Sequence, residues 1–245
     1  MNLLIDIGNT RVKWVEQSIE QLSEISFVGH QQDGFESILI STWRDLLIPP
    51  DTIYIACVST SSVKKVITHI IKQLWAHAKV QDIQTCQYAH GVTNAYINPE
   101  KLGVDRWLAM LGAYNYYTAP LCVIDCGTAI TLDVLDEQGQ HLGGMIMPGL
   151  TLLNKSLSKG AANLDFCSED HKLGLANYTQ AAIYNGNLSA VRGFIEAGRQ
   201  QYKSQSLILT GGDAEYINNT LALGAIVDLK LVFSGISLLS SESQK

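Results

Sequence analysis

Two stretches decide the fold: Leu3-Leu4-Ile5-Asp6-Ile7-Gly8-Asn9-Thr10 and, 119 residues later, Cys122-Val123-Ile124-Asp125-Cys126-Gly127-Thr128-Ala129. Each is an apolar run that ends in Asp-x-Gly and passes into small polar residues. A short apolar run bounded by glycine reads as a buried strand, and the Asp-x-Gly after it as a tight turn. Twice that interval nearly spans the 245 residues, so the pattern reads as a duplication. Two halves of similar size each open with the same strand and turn.

Working outward, Val12 to Val15 continues the first turn as a second strand. After the second turn, Ile130-Thr131-Leu132-Asp133-Val134-Leu135 alternates, and Asp136-Glu137-Gln138-Gly139 predicts a hairpin into a strand through Ile146. Ile53-Tyr54-Ile55-Ala56-Cys57-Val58 has the continuous apolar character of a buried parallel strand. From Ser59 to His77, apolar residues at Val63, Val66, Ile67, Ile70, Ile71 and Leu74 describe a helix face, capped by one of Ser59, Thr60, Ser61 or Ser62. Val104, Trp107, Leu108 and Leu111 predict another helix, with Pro120 beyond its end. We place the domain boundary near Thr118: residues 1–118 form a first domain ending in this helix, and 119–245 a second. The second half adds a helix from Thr179 to about Tyr202, a buried strand over Ser206-Leu207-Ile208-Leu209-Thr210 and a turn at Gly211-Gly212-Asp213. The polar tail from Ser240 is expected to fray. Strands and helices mixed in this order mean α/β.

Composition narrows the function. Hydrophobic residues at 47% and charged residues at 16% supply a core and exclude a disordered chain. Asp plus Glu (23) outnumber Lys plus Arg (17), for a net charge of −6 without a basic cluster, which argues against nucleic-acid binding. Lys64, Lys65 and Lys72 read as a solvated helix face. No apolar stretch approaches the ~18 residues of a membrane span, and Asp6 interrupts any leader-like run, so a cytoplasmic protein is expected. Five cysteines without a Cys-x-x-Cys pair read as free thiols in a reducing compartment, and the six histidines show no zinc spacing.

In Asp6-Ile7-Gly8-Asn9-Thr10-Arg11-Val12-Lys13, a carboxylate ends a buried strand beside a turn. Gly8 leaves the turn open, its N–H groups with Asn9 and Thr10 can face an anion, and Lys13 adds a point charge. Asp6 can hold a hydrated divalent cation on phosphate oxygens. An ordinary hairpin explains the same residues. Asp125-Cys126-Gly127-Thr128-Ala129-Ile130-Thr131-Leu132-Asp133 repeats the logic, and two such turns can enclose a phosphate chain. Gly143-Gly144-Met145-Ile146-Met147-Pro148-Gly149 and Thr210-Gly211-Gly212-Asp213 permit close backbone approach. Asp105, in the first turn of an apolar-faced helix, is favoured as an anion and can accept a proton from a substrate hydroxyl. Arg106 can grip a carboxylate. P-loop, dinucleotide and nucleophile-elbow signatures are absent.

As a set these motifs resemble the type III pantothenate kinases of the acetate and sugar kinase, Hsp70 and actin superfamily. They stand as Asp6-x-Gly8-Asn9-Thr10-x-x-Lys13, Gly103-x-Asp105-Arg106, Asp125-x-Gly127-Thr128-Ala129-x-Thr131-x-Asp133, Gly143-Gly144-x-Ile146-x-Pro148-Gly149 and Thr210-Gly211-Gly212-Asp213. The resemblance implies two duplicated actin-like (ribonuclease H-like) domains with ATP in the cleft between them. It implies transfer of the γ-phosphoryl group of ATP, with Mg²⁺, to pantothenate, the first step of coenzyme A synthesis. On this reading Asp105 is the proton acceptor. The run Asp6, Ile7, Gly8, Asn9, Thr10, Arg11, Val12, Lys13 and also Thr128 bind ATP. Tyr96, Gly103, Val104, Asp105, Arg106 and Thr179 bind pantothenate. Asp125 holds a monovalent cation, K⁺ or NH₄⁺, and Asp6 the Mg²⁺. A homodimer is expected. The stretch from Lys159 to Asp165 and on to residue 178 departs from the family pattern. The residues themselves leave open a related kinase or phosphatase acting on a sugar or polyphosphate, and a non-catalytic ATP-binding regulator.

Overall fold

The computed structural model describes residues 1–19, 21–160, 171–202 and 206–242; residues 161–170 of the stretch that departs from the family pattern, Cys167 among them, lie outside the described residues. In chain order the strands are β1 (Asn2–Ile7), β2 (Arg11–Gln17), β3 (Ser26–Gly29), β4 (Thr52–Cys57), β5 (Lys79–Asp82), β6 (Tyr88–Ala89), β7 (Val92–Thr93), β8 (Leu121–Cys126), β9 (Ala129–Leu135), β10 (His141–Pro148), β11 (Ser206–Thr210) and β12 (Ile226–Val227). The helices are α1 (Phe35–Arg44), α2 (Ser61–Leu74), α3 (Val104–Tyr116), α4 (Leu150–Gly160), α5 (Thr179–Tyr202), α6 (Ala214–Leu221) and α7 (Leu231–Glu242). The chain separates into two compact units, Met1–Tyr116 with Lys230–Lys245, and Tyr117–Leu229.

In the first unit the sheet runs β3-β2-β1-β4-β5. β1 pairs antiparallel with β2, placing Asp6 opposite Lys13, and parallel with β4, placing Asp6 beside Ala56. Leu3, Ile5 and Ile7 point to one face, against α1 and α2, where Leu39, Trp43, Ile67, Ile70, Ile71 and Trp75 close the core. Each large side chain fully buried there contributes about 1.5–3 kcal/mol. α3 and α7 pack on each other and on β4. The second unit repeats the plan as β10-β9-β8-β11-β12, again with two antiparallel pairings followed by two parallel ones. Cys122, Ile124, Cys126, Ile130, Leu132 and Val134 face Leu188, Val191 and Ile195 of α5 and Ile217 of α6. The matched strand orders are the structural form of the 119-residue echo. Burial pushes the Cys122 thiol up to about 12 and raises Cys126 further, so neither is a reactive thiolate at neutral pH.

The last helix departs from the sequence reading, which put residues 119–245 together. α7 belongs to the first unit. Leu231, Val232, Phe233 and Ile236 are buried, and two glycines let the backbones of α3 and α7 nearly touch. A Cβ on Gly235 would overlap the Leu108 carbonyl, and one on Gly112 the Leu231 carbonyl. Gln17 Nε2 donates to Ser237 Oγ at 2.8 Å. Ser240, expected in a frayed tail, is 2% exposed and donates to the Ser237 carbonyl at 2.8 Å. β3 and α1 carried too weak a period to be read from sequence.

Adding a methyl at Gly235 forces two helix backbones apart, so Gly235→Ala should lower the unfolding free energy by about 1–3 kcal/mol. Gly193 lies in α5 with open space where its Cβ would be. Gly193→Ala should stabilise by about 0.5–1 kcal/mol. Urea denaturation of both variants checks the pair; equal shifts would refute the packing account.

Candidate active site

The first turn is held from three sides. Gly8 N–H donates to the Arg11 carbonyl at 3.0 Å, closing the turn between β1 and β2. Val58 N–H donates to the Ile7 carbonyl at 3.0 Å, joining the end of β1 to the loop after β4. His30, beyond β3, binds the turn twice: its ring Nε2 donates to the Gly8 carbonyl at 3.0 Å and its backbone N–H to the Thr10 carbonyl at 3.2 Å. Asp6 is 6% exposed, and Lys13 Nζ stands 4.0 Å from its Oδ2. Asn9 and Arg11 are exposed, while Ile7 and Val12 are core residues that can offer a ligand only their backbone. Arg11 lies with its guanidinium 4.9 Å from the Phe27 ring centroid on β3. The first turn therefore presents a buried carboxylate, a nearby ammonium and open backbone.

The substrate motif opens α3. Trp107 N–H donates to the Gly103 carbonyl at 3.0 Å, starting the helix, and Asp105 Oδ1 accepts from the Arg106 N–H at 2.8 Å. A Cβ at Gly103 would stand 2.6 Å from Asp105 Oδ1 and 3.8 Å from Val58. The glycine thus makes room for that carboxylate at the start of the helix. Arg106 is 6% exposed, and its Nη1 donates to the Tyr96 hydroxyl at 2.9 Å. Buried guanidinium groups need fixed partners, and here one partner is the tyrosine that sequence reading also selected. Gly103, Asp105, Arg106 and Tyr96 are therefore brought together. A cavity of about 320 Å³ reaches this motif at Gly103 and Val104, lined also by Cys57, Val58, Lys64 and Thr85.

In the second unit, three loops meet at Asp125. Gly127 N–H donates to the Ala129 carbonyl at 3.0 Å, and Gly149 N–H to the Thr128 carbonyl at 3.0 Å. A Cβ on Gly149 would overlap the Gly127 carbonyl. Gly211, at φ +91°, lies on the Asp125 carboxylate and the Cys126 carbonyl with no room for a side chain. Asp213 N–H donates to the Cys126 carbonyl at 2.9 Å. Gly149 and Gly211 are thus spent on packing protein against protein, whereas Gly143 has open space around it. Thr128 is exposed at the turn. Asp133, the last residue of the second phosphate motif, is buried with its Oδ1 2.9 Å from Nε2 of buried His141. Thr179 is the exposed first residue of α5. Sequence reading missed His30, His141 and the buried Asn94 behind Tyr96. Lone polar residues outside a motif carry no sequence signal of their partners.

Among the described residues no group of three or more His, Cys, Asp or Glu could hold a metal unaided. No helix among them is long and apolar enough to cross a membrane.

Comparison with known proteins bears on these turns directly. The model of the type III pantothenate kinase family matches residues 2–201. A type III pantothenate kinase of Dichelobacter nodosus is 42% identical over 67% of this chain, a match that spans 65% of that relative. One from Nitrosospira multiformis is 34% identical over 99% of this chain and 92% of its own length. Among solved structures, a Campylobacter jejuni protein described as a Baf family transcriptional activator superposes with a TM-score of 0.68 at 21% identity, over 99% of this chain and 98% of that one, a likeness of fold. The two matched five-stranded sheets are the duplicated actin-like fold. With both turns, the Gly-x-Asp-Arg helix start and a family match across most of its length, the chain belongs to the type III pantothenate kinase family, the enzymes that phosphorylate pantothenate in coenzyme A synthesis.

Proposed function

We propose that this chain moves the γ-phosphoryl group of ATP to the terminal hydroxyl of pantothenate with Asp105 as the proton acceptor. The observation that carries this is the start of α3, where the Asp105 carboxylate lies against Gly103 and Arg106 is tied to Tyr96. The substrate hydroxyl oxygen attacks the γ-phosphorus, the bond to the bridging β–γ oxygen breaks, and ADP leaves. The hydroxyl proton passes to Asp105 late in the transfer. Such a reaction needs mainly alignment and charge stabilisation. Arg106 and Tyr96 orient pantothenate, with Gly103, Val104 and Thr179 completing its contacts. The run from Asp6 to Lys13, with Thr128, binds ATP.

The donors fit hard cations. An Asp125 carboxylate oxygen and the Cys126 carbonyl both lie against Gly211, and oxygen donors of this kind suit K⁺ or NH₄⁺ better than a transition metal. Mg²⁺ shared with substrate phosphates needs only one or two carboxylates, and Asp6 supplies one. When bound, both ions add positive charge where the phosphate oxygens gather negative charge. Asp6, Asp125 and Lys13 hold and orient; none of them moves a proton.

The protein is proposed to work in the cytoplasm, consistent with free thiols at Cys57, Cys86, Cys122 and Cys126. A homodimer is supported by the edge strand β10, which exposes Leu142, Met145 and Ile146 at 44%, 37% and 62%.

Asp105→Asn removes the proton acceptor but keeps the shape. Turnover in coupled ADP release should fall by at least about a hundredfold, while calorimetry shows ATP affinity unchanged within about twofold. Turnover near that of the unaltered enzyme would remove Asp105 from the mechanism. Activity in potassium should exceed that in sodium by about tenfold or more, and Asp125→Asn should erase the difference. Equal rates in both salts would count against the Asp125 assignment. Ile146→Glu should lower the mass seen by light scattering towards a single chain.

A further inference from the structure

Tyr96 sits on a loop that packs little of itself: Ala95, Ile97 and Asn98 are exposed, Ile97 almost completely. Its course depends on hydrogen bonds, and these converge on one buried carboxamide. The strands β6 and β7 are joined by His90 and Gly91, both at positive φ (46° and 85°), the backbone of a tight two-residue hairpin. The hairpin is seated on α3. Asn115 Nδ2 donates to the His90 carbonyl at 3.0 Å, and a Cβ on Gly91 would come within 2.8 Å of the Tyr114 ring. Pairing continues one step past the strands, where Asn94 N–H donates to the Gln87 carbonyl at 2.9 Å and Gln87 Nε2 to the Asn94 carbonyl at 2.9 Å.

Asn94 is 3% exposed, and each half of its side chain is used. Oδ1 accepts the Tyr96 N–H at 2.9 Å. Nδ2 donates to the Cys86 carbonyl and to the Pro99 carbonyl, each at 3.3 Å. Pro99 opens the short 3-10 turn Pro99–Lys101, which leads into Gly103. One side chain therefore fixes the backbone of Tyr96 and the entry to the segment bearing Asp105 and Arg106.

We infer that Asn94 is a positioning residue for pantothenate, acting through Tyr96; this rests on the reading of Tyr96 as a substrate contact. No other side chain does the same work. Aspartate accepts from Tyr96 but cannot donate to two carbonyls, and it buries a charge against them. Serine can accept from Tyr96 but does not reach Pro99 as well. Glutamine carries the amide one methylene too far.

The test is steady-state kinetics on the full chain, with pantothenate and ATP varied separately, for Asn94→Asp, Asn94→Ser, Tyr96→Ala and the double variant Asn94→Asp/Tyr96→Ala. Asn94→Asp should raise KM for pantothenate about tenfold and leave KM for ATP within about twofold, with Asn94→Ser falling between. In the Tyr96→Ala background the effect of Asn94→Asp should shrink below about twofold, the mark of residues that act as one. If Asn94→Asp does not fold, as judged by its melting transition, Asn94→Ser takes its place in the same cycle. Parallel rises in both KM values, or full additivity with Tyr96→Ala, overturn the positioning role. If Tyr96→Ala raises KM for pantothenate and neither Asn94 variant does, only the positioning role fails. If Tyr96→Ala leaves KM for pantothenate unchanged, the substrate reading of Tyr96 fails and the role of Asn94 through it is overturned with it.

Discussion

A carboxylate at the end of a central strand is the feature around which each unit is arranged. Asp6 closes β1 and Asp125 lies at the end of β8, and each strand has an antiparallel neighbour on one side and a parallel neighbour on the other. The turn to the antiparallel partner and the loop after the parallel one therefore emerge together, next to the carboxylate. Strand ends of this kind leave backbone N–H groups outside the ladder, where an anion can approach them. The two units support this corner differently. In the first, a histidine ring and a backbone N–H from the loop after β4 hold the turn. In the second, Gly149 and Gly211 press directly on the turn and on Asp125, a contact that any side chain would prevent.

α3 joins the core of the first unit to the proposed catalytic motif. From Trp107 to Ala113 it is buried throughout, and its first turn carries Asp105 and Arg106. Its position is set by a partner far away in sequence, since α7 returns to it through the Gly112 and Gly235 contacts. Its other end supports the hairpin that carries Asn94. A substitution in the α3–α7 seam would thus be felt at the substrate motif through helix placement, without touching a ligand.

Much of this was legible residue by residue. The strand ending in Asp6 and its copy ending in Asp125, the helix opening at Val104 and the long helix from Thr179 follow from period and punctuation alone. That α3 opens just after Gly103 was legible because a glycine and a charged pair precede a helical apolar period. The reach of the last helix was not legible. The sequence reading named no element between Asp213 and the tail from Ser240, and the two glycines that make the contact are small residues with no pattern of their own. His30 escaped for a similar reason, because its target is a backbone carbonyl 22 residues away and a carbonyl has no sequence identity.

The sequence by itself determined the α/β class, the duplication and the residue types able to handle phosphate, since these depend on local period and on side-chain chemistry. The tertiary structure alone decided which unit owns α7, why Gly149 and Gly211 admit no side chain, that Asp133 lies against His141, and that Asn94 stands behind Tyr96. Each of these depends on distance between residues remote in the chain. Such distances are set by how sheets and helices pack, which no local stretch of sequence encodes.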